Sequence, residues 1–122
     1  MSRVIPWSAG VSPRRGLPWL LETVYQLFED NLSNTDVNAA DFADRCGISR
    51  TKFFYKVKSL TGMTPAEFFR TYRLNRAVEF IKEDRYKMSG IAEMCGFSSP
   101  SHFAKSFKEQ FGVLPSEYLD KG

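Results

Sequence analysis

Apolar residues recur at steps of three and four along most of the chain, a period that predicts helices and leaves little room for strands. Leu20, Leu21, Val24, Leu27, Phe28 and Leu32 form one stripe, predicting a helix that starts near Leu17 and ends between Asn31 and Ser33. Asn38, with Asp41 three residues on, has the form of a capping box and opens a short helix whose Phe42 and Ala43 face inward; Gly47 breaks it. A second short helix is expected from Arg50 to Thr61, with Phe53, Val57 and Leu60 as its buried stripe and Gly62 as its stop. Thr64-Pro65-Ala66-Glu67 is another capping box with proline at the first helical position, and its helix can run unbroken to Asp84. Phe68, Tyr72, Leu74, Ala77, Val78 and Ile81 supply its apolar side. The final part repeats the scheme: a helix from Met88 to Cys95, a turn at Gly96-Phe97-Ser98, and a helix capped by Ser99 and begun by Pro100. Phe103, Phe107 and Phe111 line its buried side, leaving Ser101, His102, Ala104, Lys105, Ser106 and Lys108 outward.

The two halves share more than a pattern. Ala43-Asp44-Arg45-Cys46-Gly47-Ile48-Ser49 returns as Ala92-Glu93-Met94-Cys95-Gly96-Phe97-Ser98, an offset of 49 (95 − 46). Leu60 to Pro65 returns as Gln110 to Pro115 at an offset of 50, because Ser98-Ser99 stands against the lone Ser49. A helix, a glycine-containing turn and a second helix, present twice, suggest a duplicated helix-turn-helix, a device for placing a helix in a DNA major groove. The chain is thus read as all-α: a flexible tail or linker over 1–16, a first helix-turn-helix subdomain over 17–64, a linking helix over 65–84, and a second subdomain over 85–122. Twenty residues of helix span about 30 Å, close to the advance of about 34 Å per turn of duplex that separates successive major grooves on one face. Lys87 and Leu114 fall where the first unit has the caps Asn38 and Thr64, so those helix starts are expected to lack a side-chain acceptor.

Composition narrows the alternatives. The chain has 122 residues, 43% of them hydrophobic and eleven of them Phe, enough for a compact but small core. A net charge of +3 is weak evidence for a polyanionic partner. Its distribution says more: Arg50, Lys52, Lys56 and Lys58 stand between Ser49 and Gly62 with no acid among them, whereas Asp30, Asp36, Asp41 and Asp44 precede them. Taken alone, such a run is usually a solvated face; inside a repeated helix-turn-helix it suggests phosphate contacts. Cys46 and Cys95 hold equivalent places in separate units, outside the few ångströms a disulfide needs, and two Cys with one His cannot complete a zinc site. They are read as small buried residues, with no metal and no cofactor implied. No stretch approaches the length of a membrane span. Arg14-Arg15 followed by an amphipathic run with Glu22 does not make an export signal, so a cytoplasmic location without membrane contact is expected. His102, the only histidine, lacks an identifiable nucleophile and orienting carboxylate; a phosphate or base-edge contact, or plain exposure, accounts for it better than catalysis, and no enzyme is expected.

Gly96-Phe97-Ser98-Ser99-Pro100-Ser101-His102-Phe103 with Phe107-Lys108-Glu109-Gln110-Phe111-Gly112 and Pro115-Ser116-Glu117-Tyr118 resembles the signature of the AraC/XylS family of bacterial transcription regulators. Cys46-Gly47-Ile48-Ser49 and Arg73-Leu74 to Ala77 are in register with it, so the likeness covers residues 17 to 119. The run from Ser49 to Gly62 is also similar to output domains of hybrid two-component sensors. The resemblance implies about seven helices, with those beginning at Arg50 and Ser99 as recognition helices. It implies base contacts by Arg50, Thr51, Phe54 and Tyr55 in the first unit and by Pro100, Ser101, Ala104 and Lys105 in the second, with Lys58 and Lys108 on the phosphate backbone. Lys52, Lys56 and His102 join the phosphate set from their own charge and position. Arg50 and Lys105 suit guanine O6/N7, while Thr51, Phe54, Pro100 and Ala104 offer hydroxyl or apolar contact, as to a thymine methyl. Taken by itself, Phe54 is more often a packed aromatic than a base reader, and Pro100 is readable as a helix starter alone. Tyr55 stands where many members carry Arg, and Leu119 where the motif commonly ends in Arg.

Double-stranded DNA is the partner this reading implies, with RNA polymerase and a sensor or dimerisation domain outside this chain as further ones. The competing class is a helical protein-interaction module with a basic face, and a stand-alone small regulator competes with the output domain of a larger one.

Overall fold

The structure, a computed structural model, describes residues 19–121. The expectations for the tail over 1–16, for Arg14-Arg15 and for a helix start at Leu17 fall outside that range. Helices α1 (Trp19–Asp30), α2 (Ala39–Cys46), α3 (Arg50–Thr61), α4 (Pro65–Glu83), α5 (Met88–Met94) and α6 (Pro100–Phe111) are followed by a 3-10 turn at Pro115–Glu117 that runs into the single turn α7 (Tyr118–Lys121). No strand occurs among the described residues.

Two compact units result: one holds the described residues up to Arg70 except Leu32–Thr35, and the other holds Leu32–Thr35 with the described residues from Thr71 on. The 19-residue helix α4, about 28 Å at 1.5 Å per residue, contributes to both. It buries Phe68, Phe69, Thr71, Leu74, Asn75, Ala77, Val78 and Ile81. These positions cover more than half its circumference, as expected for a helix packed on several sides.

The first unit is built on aromatic packing. Phe28 lies stacked on Phe69 at 4.6 Å and edge-on to Phe42 at 5.3 Å and Phe68 at 5.2 Å. Such offset and edge contacts add about 0.5–1.5 kcal/mol per pair beyond area burial. Phe69 was not among the expected core positions, and Leu27 and Tyr72, which were, are only half-buried. In the second unit Leu74, Val78, Ile81, Ile91, Phe97, Phe103, Phe107 and Phe111 form one cluster, with Tyr118 packed against Phe107 at 5.6 Å. Cys46 and Cys95 are buried, one per unit, and neither is in a disulfide.

One close approach within the second unit requires a glycine. Gly96 sits in the left-handed region at φ +80, and a Cβ there would lie 2.4 Å from the Leu32 carbonyl oxygen and 2.8 Å from the Arg73 guanidinium. Arg73 in turn donates from Nη2 to the Asn34 carbonyl at 2.7 Å. Only glycine lets the turn after α5 approach the Leu32–Thr35 segment so closely.

Candidate nucleic-acid interface

The helix-turn-helix of each unit is framed by the same local chemistry. Ser49 precedes α3 in extended backbone, and its hydroxyl accepts the Lys52 N–H at 3.1 Å; Ser99 precedes α6 and accepts the His102 N–H at the same distance. Each satisfies one of the donors that a helix start leaves open. Both helices have twelve residues and end on a glycine in the left-handed region, Gly62 at φ 79 and Gly112 at φ 83. The glycine N–H bonds the Lys58 and Lys108 carbonyls respectively, each at 2.8 Å. The expected cap at Ser99, with Pro100 at the first position, is present; the matching cap at Ser49 had no sequence expectation attached to it.

The helices leading into them differ. Asn38 caps α2 with the full reciprocal box to Asp41. Lys87 precedes α5 with no side-chain cap bond, as its aliphatic-ammonium chemistry requires. At Leu114 the expectation was half right: Leu offers no acceptor, yet Glu117 reaches back and takes the Leu114 N–H at 3.1 Å.

On α3 the inward row is Phe53 and Val57, both buried. Leu60 does not complete it. That side chain is 40% exposed, because the four-residue row continues to Thr61, the counterpart of Phe111, whose hydroxyl bonds the Val57 carbonyl at 2.8 Å. Ser106, expected outward, is buried; three residues after Phe103 and one before Phe107, it lies on the apolar face of α6.

Every residue assigned to DNA on α3 is exposed: Arg50, Thr51, Lys52, Phe54, Tyr55, Lys56 and Lys58. A step of about 100° per residue sets Arg50, Thr51, Phe54 and Lys58 on one flank of the core row and Lys52 and Lys56 on the other, with Tyr55 between them. Tyr55 is 65% exposed and Phe54 37%, their rings edge to face at 5.4 Å. The Lys58 ammonium lies 5.9 Å from the centre of the Phe54 ring. Phe54 is thus neither fully packed nor fully free. The Lys52 and Lys56 flank borders a groove of about 340 Å³, shared with Tyr55, Leu60 and the start of α1 at Trp19 and Leu20. Sequence reasoning did not single out that groove; Trp19 at an outward position of the α1 stripe was the available signal.

On α6, Pro100, Ser101, His102, Lys105 and Lys108 are exposed, whereas Ala104 is half-buried. The His102 ring lies edge-on to Phe97 at 5.5 Å, so it is exposed but not loose. No group of three or more His, Cys, Asp or Glu among the described residues is placed to hold a metal ion, and no described helix is long and apolar enough to cross a membrane.

Two short helices joined by a tight turn, with the second solvent-facing and cationic, define a helix-turn-helix protein. A family model described as a helix-turn-helix domain matches residues 42–121. A histidine kinase of Formosa agariphila is 35% identical over 102 residues, 84% of this chain and 7% of that protein. A solved transcriptional regulator of Chromobacterium violaceum with an AraC-type DNA-binding domain is 27% identical, with a TM-score of 0.76 over 84% of this chain and 90% of that one. The DNA-binding domain of AdpA, a global transcriptional factor solved in complex with a target DNA, is 28% identical, with a TM-score of 0.75 and the same two coverages. The chain belongs to the AraC/XylS family of helix-turn-helix transcription regulators. It spans a third or less of the length of the curated relatives it matches.

Proposed function

We propose that this chain is the sequence-specific DNA-binding output module of a larger transcription regulator, with α3 and α6 entering successive major grooves of one duplex. The observation that carries the reading is the identical framing of two exposed twelve-residue helices by a serine cap and a left-handed glycine. Arg50, Thr51, Phe54 and Tyr55 read bases from α3; Pro100, Ser101, Ala104 and Lys105 read them from α6. Lys52, Lys56, Lys58, His102 and Lys108 hold phosphates, which orients the helices without carrying sequence information. The target DNA in the AdpA complex supports duplex DNA as the ligand. The likeness to a histidine kinase of which this chain spans 7% supports a sensor segment elsewhere in the same polypeptide. RNA polymerase is the further partner such a module serves, in the cytoplasm, and no catalytic step is assigned to it.

The test is a binding series over salt on a duplex recovered by selection from genomic fragments and on a random one. Affinity should fall linearly with salt on logarithmic axes, and two adjacent major-groove segments should be protected. Lys105→Ala should cost about 1–3 kcal/mol at one base pair, whereas Lys108→Ala should weaken both duplexes alike and flatten the slope by about one. A shallow salt response with no protected segments would reject the reading in favour of a protein-interaction module.

A further inference from the structure

The two units carry their positive charge in different places. α3 has Arg50, Lys52, Lys56 and Lys58, whereas α6 has only Lys105 and Lys108 with Glu109 beside them. At the turn before the first helix of the motif the balance reverses. Arg85 and Lys87 of the second unit stand where the first unit has Asp36 and Asn38, at the repeat offset of 49 (85 − 36 and 87 − 38).

Arg85 is held in an aromatic stack rather than left to wander. Its guanidinium carbon lies 4.9 Å from the centre of the Tyr86 ring, and its Nη2 donates to the Tyr86 hydroxyl at 2.8 Å. Tyr86 meets Phe80 edge to face at 5.6 Å, and the Arg76 guanidinium lies over the other ring at 5.1 Å. Glu83 pairs with Arg85 Nε at 3.1 Å, yet the arginine side chain remains 69% exposed. The chain reverses just before it through Asp84, at a positive φ of 54 unusual for a non-glycine residue. A guanidinium fixed this way loses less side-chain freedom on meeting an anion than a free one, and the Tyr86 bond and the Glu83 pair leave part of its donor fork for a ligand.

In a helix-turn-helix the second helix occupies the groove while the first crosses the sugar-phosphate backbone. The segment that leads into the first helix, here residues 84–87 ahead of α5, therefore arrives at phosphates. We infer that Arg85 and Lys87 form a phosphate anchor by which the second unit grips duplex DNA, offsetting the low charge of α6. This deepens the reading of the chain as DNA-binding and depends on it. Glu83 is the built-in opponent of the anchor, since it competes with phosphate for the same guanidinium.

The experiment uses the full chain, the selected duplex and a random duplex, with binding measured over salt for the parent, Arg85→Ala, Lys87→Gln and Glu83→Gln, each checked by thermal melting. Arg85→Ala and Lys87→Gln should each flatten the logarithmic salt slope by about one, weaken both duplexes by the same factor and leave melting close to that of the parent. Lys87 makes no capping bond, so its variant reports on charge even where Arg85→Ala proves less stable. Glu83→Gln should tighten binding to both duplexes. Unchanged slopes in Arg85→Ala and Lys87→Gln, with the parent binding normally, overturn the anchor and leave the DNA-binding reading standing. A loss confined to the selected duplex overturns it as well, by making the turn a reader of sequence. A parent that binds neither duplex sinks both.

Discussion

Neighbouring residues on α3 differ sharply in burial, and under the proposed function they divide folding from binding. Phe53 is buried in the first unit's core, and Arg50, three residues earlier, is exposed. Phe53→Ala removes a packed ring and should cost on the order of 3–5 kcal/mol, read as a lowered denaturant midpoint. Arg50→Ala should leave that midpoint nearly unchanged while weakening the cognate duplex more than a random one. Similar destabilisation by both would move Arg50 from the reading face into the structural set. The glycines offer a second comparison. Gly47 and Gly96 share a left-handed backbone, but a Cβ at Gly47 meets nothing within 4 Å whereas one at Gly96 strikes the Leu32 carbonyl. Gly47→Ala should cost only the left-handed penalty, roughly 1–2 kcal/mol; Gly96→Ala should cost distinctly more in the same chemical-denaturation assay. Equal losses would mean that the Leu32–Thr35 segment yields freely.

At the scale of single helices, end chemistry was the most legible part of the sequence. The Asn38 and Thr64 boxes and the Ser99 cap, with the glycine stops Gly47, Gly62 and Gly112, mark boundaries because side-chain acceptors and left-handed positions are local requirements. Burial was harder to read. Leu60 and Ser106 went wrong because a three-residue and a four-residue continuation are equally periodic in one dimension, and only the neighbouring helix decides which faces inward. The box at Thr64 also gives α4 a pH response. Thr64 donates its N–H and its hydroxyl to Glu67 at 2.9 and 3.1 Å, and Glu67 N–H donates back at 3.2 Å. The Thr64 N–H and then its hydroxyl hold the Glu67 carboxyl below its usual range; desolvation opposes them, and Arg70 and Lys58 add weaker attraction. A lowered carboxyl pKa stabilises the fold above the unfolded value of about 4.3 and loses that contribution as the pH falls through the lower folded value. The stability gap between the parent and Glu67→Gln should therefore be open near neutrality and close on acidification below about pH 4. A gap independent of pH, measured by urea titration at several pH values, would show that the carboxylate charge contributes nothing.

For the whole chain, the repeat revealed the duplicated motif, since both copies obey the same core and turn constraints. The division into units was less visible: Leu32–Thr35, between α1 and α2 in sequence, cluster with the residues after Arg70. Such a contact depends on Arg73 reaching the Asn34 carbonyl, and no local pattern announces a bond across 39 positions. The shared helix supplies the test at this scale. Ala77 is fully buried in α4, so Ala77→Pro should cost about 3 kcal/mol or more and, where the protein still folds, abolish protection of one of two major-groove segments. An unchanged two-segment footprint would reject α4 as the element that fixes their spacing.

The matched framing of α3 and α6 carries one more consequence. Each is a twelve-residue parcel bounded by the same serine at its head and the same glycine at its tail, and the extra residue of the second copy is absorbed before the serine, outside the parcel. Substitutions on the outward faces can therefore accumulate without disturbing either boundary, and each copy can drift toward its own half of an operator. Duplication followed by independent drift is then enough to turn one symmetric ancestor into a reader of an asymmetric site.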